Sequence, residues 1–341
     1  MIDKNSEFYI TATKMLSDYV KINAEVRDMN KKISIVVPCY NEFESVELFY
    51  NATTPVLEEI GYDYEIIYIN DGSKDKTIYK LTEMVQTKSH MTVIDFSRNF
   101  GKEAAMYAGL QQATGDYVVV MDVDLQDPPH MLKEMIRGIE EEGFDVVGTR
   151  RISREGEPPI RSFFARQFYK IINKFIDVEI VDGARDYRMM RRNVVDAILS
   201  VTEYNRFSKG IFAWVGFKTK YLEYKNVERV AGETSWSFWK LLKYAIEGIV
   251  AFTTAPLQIA TILGLLISVF AFLYMIVVFV KALIFGDPVA GYPSMMVVIT
   301  LLGGIQLLCL GVLGEYIAKM YMEVKKRPVY IVNEVISSKK E

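Results

Sequence analysis

Two long stretches without a charged side chain constrain the fold of this 341-residue chain most strongly. Residues 248–280 and residues 288–314 contain no Asp, Glu, Lys or Arg. Each stretch exceeds the roughly 20 apolar residues that a helix needs to cross a bilayer. The connector between their cores, KALIFGDPVAGYPS, is short and rich in turn residues. We therefore predict a transmembrane hairpin over residues 253–320, with spans at about 256–283 and 294–316.

The composition of the whole chain indicates a soluble part joined to a membrane part. The whole sequence is 50% hydrophobic but still 24% charged. Basic residues flank the hairpin on both sides, which predicts that the N-terminal domain and both termini lie in the cytoplasm. The formal net charge of −3 gives no indication of nucleic-acid binding. The only two cysteines, Cys39 and Cys309, lie in apolar surroundings and are expected to be reduced.

The N-terminal domain alternates predicted strands and helices. The predicted strands are KISIVVPCY, YEIIYIND, MTVIDFS, GDYVVVMDVD and FDVVGTR. Near-continuous apolar strands separated by helices are typical of an α/β fold with a mainly parallel sheet covered on both faces. Polar clusters follow four of these strands: PCYNE, NDGSKD, SRNFGKE and DVDLQD. Because ligands bind at the carboxyl ends of such strands, we expect the four clusters to form one site.

The cluster DVDLQD is the most informative of the four. Asp122 and Asp124 end a strand with one residue between them, a spacing that suits a hard divalent cation such as Mg²⁺. The alternative is an exposed acidic turn that caps the helix after the two prolines. Asp71, at a neighbouring strand end, favours the metal site. We expect Asp127 to cap the helix that follows the two prolines. Phosphate-loop, dinucleotide and EF-hand signatures are absent from the sequence.

Taken together, these motifs resemble a known family. ISIVVPCYNE, YINDGSKDKT, DFSRNFGKEAAMYAGL, DVDLQDPP and DGARDYRMMRR are similar to segments of the inverting GT-A glycosyltransferases of family 2. The match is closest to the branch that acts on polyprenyl phosphates, and it covers roughly residues 32–330. The resemblance implies a Rossmann-like GT-A catalytic domain at residues 32–232 and an interfacial helix at residues 233–252. An N-terminal extension (1–31) would precede them, and a cytoplasmic tail (321–341) would follow the hairpin.

The resemblance also implies a donor site. The residues expected to bind the nucleotide sugar are Pro38, Tyr40, Glu42, Asp71 and Asp122. Those expected to hold the Mg²⁺ or Mn²⁺ ion are Asp122, Asp124 and Gln126. Asp186 matches the carboxylate usually proposed as the catalytic base. A phosphate monoester has its second pKa near 6, so Asp186 could instead position the acceptor or the sugar. A purely structural aspartate paired with Arg185 or Arg188 is the third possibility.

The acceptor site is expected to use arginine, whose planar fork matches phosphate. By resemblance, the candidates are Arg150, Arg161, Arg206 and Arg229. A serine that follows the acceptor-binding arginine in the mannose synthases is replaced here by Ala165, so these contacts are expected to differ. Residues 164–175 combine an apolar stripe with a basic face. That pattern predicts a helix at the membrane surface, although an ordinary amphipathic helix would look the same.

The function implied by the resemblance is inverting transfer of one sugar from a nucleotide sugar to a polyprenyl phosphate. UDP-glucose or UDP-N-acetylglucosamine is the expected donor, undecaprenyl phosphate the expected acceptor and a homotetramer the expected assembly. A processive polysaccharide synthase is disfavoured because the Q-x-x-R-W signature is absent. An inactive membrane adaptor is disfavoured because it would not need to retain Asp71, Asp122, Asp124 and Asp186 together. A transporter is disfavoured because the uncharged core of each span, within residues 248–280 and 288–314, carries no Asp, Glu, Lys or Arg to mark a pathway.

Overall fold

A computed structural model describes residues 31–151, 181, 183–224, 255–285 and 291–338. Its strands are β1 (Lys32–Cys39), β2 (Asp63–Asn70), β3 (Met91–Phe96), β4 (Tyr117–Val120), β5 (Val146–Arg151), β6 (Ala184–Arg191), β7 (Thr219–Tyr224) and β8 (Val332–Ser337). Its helices are α1 (Ser45–Ile60), α2 (Thr77–Thr87), α3 (Lys102–Gln112), α4 (Met131–Glu140), α5 (Arg192–Ser200), α6 (Ser208–Trp214), α7 (Ala255–Phe285) and α8 (Tyr292–Lys325).

The eight described strands form one sheet in the order β7-β5-β6-β4-β1-β2-β3-β8. Strands β4, β1, β2 and β3 run parallel to their neighbours in this central block. β6 is antiparallel to both β4 and β5, and β5 is parallel to β7. The predicted α/β fold with a mainly parallel sheet is therefore confirmed.

Apolar side chains cover both faces of the sheet, which explains why the central strands are apolar throughout. Along β1, Ile35 and Val37 belong to one hydrophobic cluster and Val36 to the cluster on the other face. All three are fully buried. A strand that packs on both sides cannot alternate between apolar and polar residues. The polar residues are consequently confined to the loops that follow the strands.

The segment after α8 corrects one predicted boundary. The sequence predicts that residues 321–341 form a tail outside the catalytic domain, yet β8 (Val332–Ser337) pairs antiparallel with β3 and extends the sheet. The ring of Tyr330 also stacks on Phe96, with 4.9 Å between the ring centroids. Pairing satisfies the N–H and C=O groups that the edge of β3 would otherwise expose. Lysines at both ends of this segment give it the pattern of a polar tail, so the short run of β-branched residues between them does not stand out as a strand.

The two apolar helices α7 and α8 lie against each other as a hairpin. Pro256–Tyr274 and Leu301–Lys325 have mean hydropathies of 2.2 and 1.7, and neither window is buried inside the protein. Both helices are thus long and apolar enough to cross a membrane. The second extends beyond the predicted end at residue 316. Its last turn contacts the catalytic domain, where Glu323 accepts the backbone N–H of Tyr204 at 2.9 Å.

Several predicted features lie outside the described residues. They are nearly all of the N-terminal extension (1–30), the basic helix at 164–175 and the interfacial helix at 233–252.

Candidate active site

Loops at the carboxyl ends of β1 and β2 are bonded to each other. The backbone N–H of Asn41 donates to the hydroxyl of Ser73 at 2.9 Å, and that of Glu42 donates to Thr77 Oγ1 at 2.9 Å. Asn41 adopts a left-handed conformation with φ 57°, which is uncommon outside glycine. These bonds bring the PCYNE and NDGSKD clusters together.

Asp71 connects the loop after β2 to the loop after β3. Its carboxylate accepts the backbone N–H groups of Phe100 at 2.6 Å and Gly101 at 2.9 Å, and the side-chain amide of Asn99 at 2.9 Å. Burial raises the pKa of Asp71 above its ordinary value, although the two backbone N–H groups oppose that rise. The carboxylate therefore fixes the backbone immediately before Lys102, the first residue of α3. Contact between Asp71 and a uracil or ribose stays a prediction.

Gly72 allows these two loops to approach each other closely. A Cβ atom at this position would lie 2.3 Å from the backbone carbonyl carbon of Arg98, and φ of Gly72 is +59°. Both the contact and the left-handed conformation require glycine. The glycine in NDGSKD is thus needed for the placement of SRNFGKE.

Lys102 forms the centre of the site. Its ammonium group lies 2.6 Å from Oδ1 of Asp122 and 2.7 Å from Oδ2 of Asp186. Burial alone would raise the pKa of Asp186, but the nearby charges of Lys102 and Lys209 hold that pKa well below its ordinary value. Asp186 is consequently ionised at neutral pH. Of the three roles considered for it, pairing with Arg185 or Arg188 is not the contact seen, because its bonded partner is Lys102.

Lys102 is not among the site residues predicted from the sequence. It lies in the SRNFGKE cluster, which is expected to reach the site, but a single lysine at the start of a helix has no distinguishing spacing. The signal that could have found it is charge, because the carboxylates expected at this edge need a cation among them.

Asp127 corrects a second prediction. Instead of capping a helix, it is fully buried and accepts a hydrogen bond from the hydroxyl of Tyr224 at 3.1 Å. Helix α4 begins after His130, and no side chain caps it. Burial raises the pKa of Asp127 to about 6, although Arg185, with Nε 3.7 Å away, opposes the rise. Asp127 therefore supports the strand end from within the core.

Asp122, Asp124 and Gln126 come together in the loop after β4. The backbone N–H of Gln126 donates to Oδ1 of Asp124 at 3.1 Å, and the side-chain oxygen of Gln126 accepts from Arg151 at 3.2 Å. Two carboxylates and an amide oxygen suit Mg²⁺ or Mn²⁺, which take few protein ligands and complete their coordination with water and phosphate oxygens. Among the described residues, no group of three or more His, Cys, Asp or Glu side chains forms a metal site by itself. Because Lys102 pairs with Oδ1 of Asp122, these residues would hold an ion through their remaining oxygens, together with a bound diphosphate.

The other predicted donor residues lie around the same edge. Pro38 is in β1 and pairs with Ile69, and Glu42 accepts the hydroxyl of Ser45 at 2.7 Å. The side chain of Tyr40 is 41% exposed, so its ring is accessible.

The predicted acceptor arginines have different environments. Arg150 is partly exposed at the end of β5, with Glu223 3.9 Å away. Arg206 is buried, donates to the backbone carbonyls of Val201 and Ile198, and lies over the ring of Tyr107. Those donors already bind carbonyl oxygens, so Arg206 helps to hold the fold, and its phosphate contact stays a prediction. The remaining two candidates, Arg161 and Arg229, lie outside the described residues.

The mainly parallel sheet, the aspartates at its carboxyl edge and the two apolar helices define a GT-A fold with a C-terminal hairpin. Comparison with known proteins agrees with this architecture. The family model for glycosyl transferase family 2 matches residues 34–199, and the model for the GtrB C-terminal hairpin matches residues 255–320.

Similar proteins match this chain over most of its length. The CsbB protein of Bacillus subtilis is 45% identical over 302 residues, covering 89% of this chain and 91% of the relative. The bactoprenol glucosyl transferase of Shigella phage SfII is 43% identical over 307 residues, covering 89% and 98%. Among solved structures, mannosyl-3-phosphoglycerate synthase from Rubrobacter xylanophilus superposes with a TM-score of 0.49 at 15% identity, covering 66% of this chain and 75% of that one. The chain belongs to glycosyl transferase family 2, and its hairpin associates it with a membrane.

Proposed function

We propose that the protein transfers one sugar from a UDP-linked donor to a polyprenyl phosphate at the cytoplasmic face of the membrane. Glucose is the first sugar to test, because relatives that cover nearly the whole chain are named bactoprenol glucosyl transferases. N-acetylglucosamine is the second. The observation that carries the proposal is the Lys102 bridge between Asp122 and Asp186, in a domain joined to an apolar hairpin.

The donor would bind across the loops that follow β1, β2 and β4. The exposed ring of Tyr40, together with Pro38, Glu42 and Asp71, would contact the nucleoside. A divalent ion held by Asp122, Asp124 and Gln126 would neutralise the diphosphate and so make it a better leaving group.

Asp186 and Lys102 would organise the reacting atoms. A phosphate monoester is largely dianionic at neutral pH, so its oxygen can attack without a general base. We infer that Lys102 attracts this anion while the ionised Asp186 orients Lys102 and the sugar hydroxyls. The phosphate oxygen forms a bond to the anomeric carbon as the bond from that carbon to the diphosphate breaks, with inversion and release of UDP. Most of the acceleration would come from alignment and charge neutralisation.

The acceptor would reach this site from the bilayer. The end of α8 contacts the catalytic domain through Glu323 and Tyr204, which keeps the domain close to the membrane surface. Arg150, with Arg161 and Arg229, would supply cationic contacts for the lipid phosphate. We further propose that the protein assembles as a homotetramer, which light scattering of the detergent-solubilised protein would test.

Transfer assays with a panel of labelled nucleotide sugars test the proposed function. Purified protein is incubated with undecaprenyl phosphate and UDP-glucose, UDP-N-acetylglucosamine, UDP-galactose or GDP-mannose, with Mg²⁺, Mn²⁺ or EDTA. We expect a UDP-linked sugar to give a labelled lipid product with Mg²⁺ or with Mn²⁺. We expect no product with EDTA. Absence of a lipid product from every donor, with both metals present, would contradict the proposal.

A further inference from the structure

A chain of side-chain hydrogen bonds runs from the last strand of the sheet to the loop after β1. The side-chain amide of Asn333 donates to Oδ2 of Asp95 at 2.9 Å, and that of Asn70 donates to Oδ1 of Asp95 at 2.7 Å. The hydroxyl of Ser73 then donates to the amide oxygen of Asn70 at 2.5 Å and accepts the backbone N–H of Asn41 at 2.9 Å. Four bonds therefore connect β8 to the PCYNE loop.

A local irregularity in the sheet aims Asn333 at this chain. Asp95 pairs with Glu334 and Phe96 with Val332, so Asn333 is an extra residue without a partner in the register. Such a bulge redirects a side chain, and bulges are frequent next to active sites. A strand that only covered the edge of β3 would need no bulge, because regular backbone pairing already satisfies that edge.

The residues in the middle of this series of hydrogen bonds are buried, which leaves them few alternative arrangements. Asn70 is 1% exposed and Asp95 is 8% exposed. A buried carboxylate needs a donor for each oxygen, and the two amides supply one each. Removing the amide of Asn333 would leave one oxygen of Asp95 short of a donor, and Asn70 would be free to turn away from Ser73.

The hydrogen bonds at the other end of this series, those made by Ser73, set the conformation of the PCYNE loop. Asn41 holds its left-handed backbone with two bonds, one from its N–H to Ser73 and one from the N–H of Lys74 to its side-chain oxygen at 2.8 Å. Tyr40 and Glu42 flank it, and both are donor-site residues in the proposed function. Movement of Ser73 would therefore move both.

We propose that Asn333 is a positioning residue for the loop Tyr40–Glu42, so that the segment after the second membrane helix sets the affinity for the nucleoside diphosphate. The inference rests on the proposed function, because it takes that loop to bind the nucleotide. The segment is well placed for this role. Between α8 and β8, Tyr330 stacks on Phe96, and its hydroxyl donates to Gln111 at 2.7 Å.

The test uses full-length protein in detergent and three variants. Asn333→Leu removes the donor and keeps a side chain of similar size, and Asn333→Ala removes the donor together with most of the side chain. Ser337→Ala is the matched control, because Ser337 contacts Thr92 across the same strand pair but at the opposite end from the site. Two quantities are measured: the Kd of UDP with Mn²⁺ by calorimetry, and the hydrogen exchange of the backbone amides of residues 40–43 in the ligand-free protein.

Both Asn333 variants should bind UDP roughly tenfold more weakly, the size expected for a lost hydrogen bond to a charged group. They should also exchange faster in residues 40–43, with the KM for lipid phosphate unchanged. Ser337→Ala should match the wild type in each measurement. Unchanged exchange and unchanged UDP affinity in both Asn333 variants would overturn the inference. Failure of the wild type to bind UDP would instead contradict the proposed function, while the exchange data would still decide whether Asn333 holds the loop.

Discussion

Lys102 Nζ lies 2.7 Å from Asp186 Oδ2, and this ion pair joins two parts of the site that are 84 residues apart in sequence. Lys102 begins α3, which follows a loop held by Asp71, whereas Asp186 is on the antiparallel strand β6. The same ammonium group also contacts Asp122 at the end of β4. The pair thus connects the proposed metal-binding loop to the proposed reaction centre.

Replacement of Lys102 by Met should lower kcat by about 10²–10³-fold, the effect typical of losing one charge-stabilising donor at a reaction centre. Asp122 and Asp186 would then repel each other without an intervening cation. Lys133→Met is a suitable control, because Lys133 pairs with Glu59 away from the site. Steady-state transfer assays check the prediction. Activity of the Lys102 variant within twofold of the wild type would remove Lys102 from the mechanism.

Replacement of Gly72 by Ala should destabilise the catalytic domain by about 2 kcal/mol or more, because the new Cβ meets backbone as well as an unfavourable φ. Gly61→Ala provides the comparison. Gly61 also has a positive φ, of +81°, but no atom lies within 4 Å of the position that a Cβ would take there. Gly61→Ala should therefore lower the free energy of unfolding by only about 1 kcal/mol, the cost of the unfavourable φ. Thermal melts of both variants measure the difference, and equal losses would contradict the close approach of the two loops.

Glu103 should make stability depend on pH. Burial raises its pKa from 4.5 to about 7, although the N–H and hydroxyl of Ser208 oppose the rise. Between those two values the folded state holds a proton that the unfolded state releases, so this contribution to stability falls as pH rises from about 4.5 to about 7. Glu103→Gln removes that dependence.

The Tm of Glu103→Gln relative to the wild type should accordingly increase across this pH window and level off above it. Glu141→Gln, the same substitution at an exposed residue, is the control for the change of side chain itself. A Tm difference for Glu103→Gln that is constant from pH 4.5 to pH 8 would show that Glu103 has an ordinary pKa.

Replacement of Arg161 by Ala should raise the KM for lipid phosphate by roughly tenfold, as expected for loss of a charged hydrogen bond. The KM for the nucleotide sugar should stay the same. Arg137→Ala is the control, since Arg137 is exposed on α4 and pairs with Glu141. An unchanged acceptor KM would mean that Arg161 does not contact the lipid phosphate.

Much of the fold could be predicted because its signals are local. Apolar strands such as β1, and the polar clusters that follow them, specify a parallel sheet with a site at one edge. The strand β8 escaped prediction because its pairing with β3 depends on contacts more than 200 residues apart. The prediction for Asp127 is wrong for a related reason. A carboxylate before two prolines has the local pattern of a cap, and only the tertiary contact with Tyr224 shows that it is buried.

Some site residues can likewise be predicted from the local sequence, whereas others are placed only by long-range contacts. Asp122, Asp124 and Gln126 are close in sequence, so their proximity in the structure follows from one loop. Lys102 begins α3, and its position depends on the bonds that Asp71 makes to the preceding loop and on the space left by Gly72. Spacing alone does not predict such an arrangement.

Mass spectrometry of the lipid product of Asp124→Asn, compared with the wild type, is the decisive test of metal-dependent sugar transfer by this site. Both proteins are reconstituted in the same membranes with UDP-glucose, undecaprenyl phosphate and Mn²⁺, and circular dichroism confirms that both are folded. The wild type should add one hexose to the lipid phosphate, and Asp124→Asn should give no product, because the site would lose a carboxylate ligand for the divalent ion. Equal hexose transfer by the two proteins would contradict a role for Asp124 in metal-dependent transfer.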